Sequence, residues 1–402
     1  MRILIADDNK ASRLLLSKLL EKLGYEVLSA TDGVEAWEIL QEEKISLVVT
    51  DWLMPNMDGL ELCKHIREAN FQHYIYIIML TSKDSKLDII EGMEAGADDF
   101  VVKPFNREEL NVRIRAGERV IRLERKLEEH NSKLIEVNKK VNDAYATIKK
   151  DLQAAERVQS SLLPEPNAII FGVRFDWLFL PSTYIAGDIF NYFKLDEHHV
   201  GFYLLDVAGH GIPAALLSFT LSKVLSSSDL KDNPLKHSIP EAPYYEITSP
   251  ANVMRDLNQR FQPDDYIMQY FTIIYGIIDT RDGKTVLTQA GHPSPIFLQK
   301  GKETSLVGTG GYPVAMLPDV DYEEHEIHLK KGDRLILYSD GITECMNSED
   351  EQFSVRRLIH LAQKVEGQPL QALMKQVSES LYHWKGDDAF EDDVTLLAME
   401  ML

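Results

Sequence analysis

Five short apolar runs punctuate the first part of the chain: Ile3 to Ala6, Val27 to Ala30, Leu47 to Thr50, Ile75 to Leu80 and Phe100 to Val102. Between them apolar residues recur at helical spacing. Leu15, Leu16, Leu19 and Leu23 predict the buried side of a first helix, which Gly24 ends. Unbroken apolar runs alternating with helices predict a parallel sheet covered on both faces, a doubly wound α/β domain over residues 1–118. From Glu118 to Leu163 there is neither glycine nor proline, and charge is dense. Val120, Leu123, Leu127, His130, Leu134, Val137, Val141, Ala144 and Ile148 follow at alternating steps of three and four, and Leu152 and Ala155 continue after two steps of four. This heptad spacing with one stutter predicts a helical coiled-coil linker over residues 119–163, pairing as a parallel homodimer and ended by Pro164.

Beyond Pro164 the period changes to two. Strands are predicted at Val173 to Leu180, Val200 to Leu205, Thr272 to Asp279, Lys284 to Gln289, Arg334 to Tyr338 and Val394 to Met399. Helices are predicted at Pro213 to Ser226, Pro250 to Phe261, Val355 to Lys364 and Leu370 to Trp384, so residues 164–402 read as an α+β domain. Four prolines and several serines between Ser226 and Pro250 predict a mobile surface loop. No internal repeat is visible.

Composition narrows the function. Lys+Arg number 43 against 64 Asp+Glu, a net charge of -21, which repels phosphate backbones and anionic headgroups. A DNA-binding regulator is disfavoured for want of a basic recognition helix. Two distant cysteines, Cys63 and Cys345, exclude a disulfide framework and suit a reducing compartment. The N-terminus turns acidic at Asp7 and Asp8, too early for a signal peptide, and no run has membrane-spanning length. The expectation is a soluble cytoplasmic protein.

The chemistry lies where strands end. In doubly wound sheets ligands bind at the carboxyl ends of strands. There stand Asp7 and Asp8 after the first run, Asp51 after the third, Thr81 after the fourth and Lys103 after the fifth. Clustered carboxylates suit a hard divalent cation, and an added hydroxyl and ammonium make a phosphate-sized site in which an aspartate can accept a phosphoryl group. Asp7-Asp8, Asp51 within Thr50-Asp51-Trp52-Leu53-Met54-Pro55-Asn56-Met57-Asp58-Gly59, Thr81-Ser82 and Lys103-Pro104-Phe105 together resemble the receiver domain of two-component response regulators. The resemblance implies that Asp51 is the phosphoacceptor and that Asp7, Asp8 and Asp51 hold Mg²⁺ with the backbone carbonyl of Leu53. It further implies that Thr81 and Lys103 contact the phosphoryl oxygens, that Phe100 is the rotating aromatic, and that a cognate histidine kinase is the donor. It also favours a cis Lys103-Pro104 bond, which the residues alone leave open.

In the last domain carboxylates again punctuate strands: Gly187-Asp188, Asp206-Val207-Ala208-Gly209-His210-Gly211, Ser339-Asp340-Gly341 and Asp392-Asp393. Such a set suits one or two Mg²⁺ or Mn²⁺ ions, which permit phosphoester hydrolysis without a protein nucleophile. With Ala290-Gly291-His292-Pro293, Tyr338 to Glu344 and Asp392-Asp393-Val394-Thr395, these motifs resemble the metal-dependent (PPM-type) serine/threonine phosphatases of the bacterial sporulation and stress-regulator branch. That resemblance implies a β-sandwich flanked by helices and a catalytic site for two metal ions ligated by Asp188, Asp206, the Val207 carbonyl, Asp340 and Asp392, with Asp393 able to substitute. A second aspartate is usual three residues after the first, and here Asn191 stands instead, which would weaken metal binding at that corner. His210 and His292 read as structural rather than as general acids.

The two resemblances together imply a phosphorylation-controlled phosphatase acting on phosphoserine or phosphothreonine of a protein such as an anti-sigma-factor antagonist. The competing reading is a catalytically weak or inactive phosphatase-like adaptor that binds a partner under receiver control.

Overall fold

A computed structural model describes residues 1–69, 71–82, 86–209, 211–226, 233–262, 269–386 and 389–402. The chain divides into two compact units, Met1–Tyr145 and Ala146–Leu402.

The first unit runs β1 (Arg2–Ala6), α1 (Lys10–Lys22), β2 (Glu26–Ala30), α2 (Gly33–Glu42), β3 (Leu47–Asp51), α3 (Gly59–Glu68), β4 (Tyr76–Thr81), α4 (Lys86–Glu94) and β5 (Asp99–Val102), then enters α5 (Arg107–Ser160). The strands form a parallel sheet in the order β2-β1-β3-β4-β5. Alternation along each strand fills both faces. Leu4, Val48, Ile77 and Met79 meet α2 and α3 residues such as Leu40 and Leu62, whereas Ile5, Val49 and Ile78 meet Leu16, Leu20, Leu110 and Ile114 of α1 and α5. Asn9 caps α1 by accepting the Ala11 and Ser12 N–H groups. Gly24, at φ 91°, follows the helix as predicted. Leu15 departs from expectation, because it is exposed while Leu16 and Leu20 carry the burial. In a stripe of consecutive leucines the hydropathy pattern alone does not choose the face.

The receiver's last helix and the linker are one element, α5. Past its first turns the apolar seam residues Leu123, Leu127, Leu134, Val137, Val141 and Ile148 are exposed, at 54 to 61% of their surface.

The second unit begins with β6 (Ala168–Ile170), β7 (Val173–Leu180), β8 (Ile189–Lys194), β9 (His199–Val207) and α6 (Ile212–Val224). It continues through β10 (Lys236–Ser238), β11 (Tyr245–Ile247), α7 (Pro250–Arg260), β12 (Phe271–Asp279), β13 (Lys284–Ala290), β14 (Ile296–Leu298), β15 (Ser305–Leu306), β16 (Glu324–His328) and β17 (Arg334–Tyr338). It closes with α8 (Asp340–Thr343), α9 (Ser354–Lys364), α10 (Leu370–Lys385) and β18 (Val394–Met401). Two antiparallel sheets result, β16-β13-β12-β9-β8 and β15-β14-β17-β18-β7-β6.

Strand alternation explains the layering. Phe202 and Leu204 of β9 meet Leu335, Leu337, Leu397 and Met399 of β17 and β18 in a core between the sheets. The intervening residues Tyr203 and Leu205 face α6 and α7, while Ile336 and Tyr338 face α9 and α10. The product is a β-sandwich covered by helices on both outer faces. The stretch expected to be one loop from Ser226 to Pro250 holds a two-stranded hairpin, β10 with β11, anchored by Thr248 N–H to Leu235 carbonyl. Residues 227–232 of it lie outside the described residues.

Candidate functional site

In the first unit parallel strands deliver the chemistry to one edge. Asp7 and Asp8 directly follow β1, Asp51 ends β3, Thr81 ends β4 and Lys103 follows β5. One oxygen from each of Asp7, Asp8 and Asp51 lies within 4.8 Å of the others. Lys103 Nζ bridges Asp51 Oδ2 at 2.7 Å and Asp7 Oδ2 at 3.0 Å. Ser12 Oγ donates to Asp7 Oδ2 at 2.6 Å, and Trp52 N–H donates to Asp51 Oδ1 at 2.9 Å.

Half-burial raises the Asp51 pKa despite Lys103. Burial opposes the Lys103 charge as well, yet its bonds to Asp51 and Asp7 prevail and its pKa rises. One ammonium against three carboxylates leaves net negative charge, so the set fits a divalent cation. Leu53 lies in the loop from β3 to α3, whose return depends on Gly59: a Cβ there would come 2.2 Å from the Asp51 carbonyl oxygen. Asp58 serves that turn in a capping box with Glu61. The Lys103-Pro104 bond is cis. Phe100, on β5, packs partly buried against the α2–α3 side core.

In the second unit the site forms where the two sheets converge. Asp188 precedes β8, and Asp206 lies beside it near the end of β9 by the register Ile189↔Leu205. From the other sheet, Asp340 opens α8 after β17, while Asp392 and Asp393 precede β18. Thr395 Oγ1 donates to Asp188 Oδ2 and joins the sheets at this end. Ser339 Oγ donates to the Asp393 carbonyl at 2.9 Å and accepts Thr395 N–H at 3.0 Å. Gly341 allows this closeness, because a Cβ there would stand 2.2 Å from the same Asp393 carbonyl oxygen. A Cβ on Gly187 would lie 3.1 Å from the Val207 carbonyl oxygen.

The electrostatics are those of crowded anions. Burial, then Asp340, Asp392 and Asp393, push the Asp206 pKa up to about 7. Burial and Asp206 push Asp188 well above the carboxylate range, and burial with Asp392 raises Asp340. Asp188 Oδ1 is buried with no hydrogen-bond donor among the described residues. An orphaned carboxylate oxygen among like charges fits divalent cations. The set is wider than the receiver's, since among the described residues only Asp7, Asp8 and Asp51 close within 4.8 Å.

The two adjacent aspartates differ. Asp393 Oδ1 accepts Ser182 N–H at 2.8 Å and Ser182 Oγ at 3.0 Å, and its Oδ2 accepts Gly187 N–H at 2.8 Å. Its carboxylate thus holds the 182–187 loop, whereas Asp392 is exposed. Asn191 pairs with Tyr203 across β8 and β9 and its side chain hydrogen-bonds the Tyr203 hydroxyl, on the strand face that Ile189 and Phe193 present to α6. His292 is 2% exposed, its Nδ1 is 2.7 Å from Thr272 Oγ1, and burial lowers its pKa to about 3. It is therefore neutral near pH 7. His210 lies outside the described residues.

Sequence reasoning missed Gln159. At the end of α5 its buried amide donates from Nε2 to the Ala186 carbonyl and accepts Ala186 N–H at Oε1, both at 2.9 Å. The signal was its place one step of four beyond Ala155, on the continuing seam.

Comparison with known proteins agrees with this geometry. The family described as "Stage II sporulation protein E (SpoIIE)" matches residues 196–402, and "Response regulator receiver domain" matches residues 3–115. "Phosphoserine phosphatase RsbP" of Bacillus subtilis (strain 168) is 26% identical over 257 residues, covering 63% of this chain and 58% of that protein. "Alkaline phosphatase synthesis transcriptional regulatory protein PhoP" of the same organism is 42% identical over 115 residues, 29% of this chain and 47% of that protein. The chain thus spans about half the length of these curated relatives. The solved SiaA-PP2C domain of Pseudomonas aeruginosa shares the fold with a TM-score of 0.54 at 19% identity, covering 64% of this chain and 98% of that one. No helix among the described residues is long and apolar enough to cross a membrane. The chain belongs to the SpoIIE family, with a response-regulator receiver domain at its N-terminus and a PP2C-type phosphatase domain at its C-terminus.

Proposed function

We propose that the chain is a response regulator whose phosphorylation at Asp51 controls a metal-dependent phosphatase acting on phosphoserine or phosphothreonine of a regulatory protein. The observation that carries this reading is the set of mutually repelling carboxylates Asp188, Asp206, Asp340 and Asp392 at the converging sheet ends, with an orphaned oxygen on Asp188. A partner-binding surface gains nothing from such repulsion, which argues against the adaptor reading. Asp188, Asp206, Asp340 and Asp392, with the Val207 carbonyl, would hold Mn²⁺ or Mg²⁺, and Asp393 would position the loop that presents Asp188. Divalent cations held there supply Lewis acidity for hydrolysing a phosphomonoester. Buried His292 stays neutral and leaves proton transfer to other groups.

In the receiver Asp7, Asp8 and Asp51, with the Leu53 carbonyl, would hold Mg²⁺. Asp51 would take the phosphoryl group from a histidine kinase. Lys103, already 2.7 Å from Asp51, would balance the incoming charge, with the Thr81 hydroxyl beside it. The exposed seam of α5 would pair with a second copy, and the change would travel along α5 toward Gln159 and the loop ahead of Asp188. An anti-sigma-factor antagonist is the substrate the family reading favours.

The test is Mn²⁺-dependent phosphate release from a phosphoserine peptide, with and without beryllofluoride on the receiver. Wild type should turn over and respond to beryllofluoride, while Asp206→Asn and Asp340→Ala should be inactive. A wild type inert across a wide Mn²⁺ range in both receiver states would overturn the enzyme reading, and equal rates in the two states would overturn receiver control.

A further inference from the structure

A groove of about 570 Å³ runs between α9 and α10, and neither metal site uses it. Its floor is apolar, built from Leu361 and the Trp384 ring. Its rim is basic. Arg356 and His360 stand one turn apart on α9, and His383 faces them from α10. The Arg357 guanidinium lies 4.1 Å from the Trp384 ring centroid and donates to the Gln352 and Phe353 carbonyls at 3.1 and 3.3 Å, so a fixed positive charge covers the aromatic floor.

Arg356, His360 and His383 have no ion-pair or side-chain hydrogen-bond partner among the described residues. The one acidic side chain on the lining, Glu379, is 3.8 Å from Lys375. Helix α9 carries Arg356, Arg357 and Lys364 and no acidic residue, in a chain of net charge -21. A local cationic rim on so acidic a protein selects for anionic partners, and a concave aromatic floor selects for an apolar anchor.

We propose that this groove docks an acidic segment of a partner protein, which seats one apolar side chain on Leu361 and Trp384 while its carboxylates meet Arg356, Arg357 and His360. The floor also connects to the catalytic segment. Trp384 Nε1 donates to the Cys345 carbonyl at 3.1 Å, and Phe353 N–H donates to the same oxygen at 2.9 Å, shortly after α8 delivers Asp340. A docked segment therefore bears on the chain that leaves Asp340.

Fluorescence anisotropy tests this on the full chain without turnover, so its outcome is separate from that of the phosphatase reading. The probe is a fluorescein-labelled peptide of about twelve residues, Glu and Asp around a central Leu-Phe pair. The Arg356→Glu/His360→Glu variant should weaken binding by about fivefold or more, as should a Ser-Ser pair in place of Leu-Phe. Both side chains are exposed, and the milder Arg356→Gln/His360→Gln pair guards against misfolding by giving a smaller loss in the same direction. The proposal is overturned if both variants bind like wild type, if the peptide with Lys for Glu binds equally well, or if a uridine oligonucleotide of equal length binds as tightly.

Discussion

Asp206→Asn should abolish turnover and, with divalent cations stripped away, stabilise the phosphatase unit. Asp206 sits where burial and three neighbouring carboxylates raise its pKa from 3.8 to about 7. That rise corresponds to roughly 4 kcal/mol of disfavoured ionisation. Asp340, Asp392 and Asp393 share the repulsion, so one amide relieves a fraction of it, roughly 2 kcal/mol. Below the unfolded pKa both states hold the proton and nothing is lost. As pH rises from 3.8 toward 7 the unfolded chain releases its proton while the folded chain resists, so stability falls, and the full cost is present above pH 7. Scanning calorimetry of the full chain in EDTA at pH 8 should show the second unit of the variant melting roughly 4–8 °C above wild type, converging near pH 4. Mn²⁺ should raise the wild-type transition and barely move the variant. Equal melting temperatures at pH 8 in EDTA, or a lower one for the variant, would refute the argument that these carboxylates repel one another unrelieved.

Three further outcomes are expected. His292 holds its folded pKa at about 3, so stability should decline as pH falls through the window from 6.5 to 3, by about 2–3 kcal/mol at pH 4.5, and His292→Gln should flatten that decline in urea titrations. Gly341→Ala would drive a Cβ against the Asp393 carbonyl at 2.2 Å, so phosphate release should drop by about a hundredfold with an unchanged far-ultraviolet circular dichroism spectrum, although no proposed ligand is removed. Gln159→Leu leaves the Ala186 N–H and carbonyl buried without partners, at a cost of about 2–4 kcal/mol, and should weaken Mn²⁺ activation of turnover; activation like wild type would show that Gln159 does not position the Asp188 loop.

Much of the architecture was legible from periodicity. Val173 to Leu180 and Arg334 to Tyr338 were bounded as they fold, because strands rich in aromatic and aliphatic residues stand out between turn residues. β8 escaped notice, since Asn191 and Lys194 interrupt its pattern within only six residues. Leu15 was misassigned because Leu14, Leu15 and Leu16 are consecutive and Leu19 and Leu20 follow, so the leucines fit more than one helix face. The short β14 and β15 offered too few residues to carry a period.

The order of acidic motifs along the chain was enough to indicate two carboxylate sites, for each motif follows or precedes a strand and so must lie at a sheet end. Sequence could not divide labour within a site. Asp392 and Asp393 are neighbours of one type, and only the packing of a loop 206 to 211 residues away takes both oxygens of Asp393 and leaves Asp392 exposed. Asn191 follows Asp188 by three residues in sequence, and only the register of β8 against β9 shows that it pairs with Tyr203. The seam spacing pointed to Gln159, but its partner, Ala186, became visible only in the folded chain. Periodicity is local and reports which residues share a face, whereas hydrogen bonds across hundreds of residues decide what that face meets.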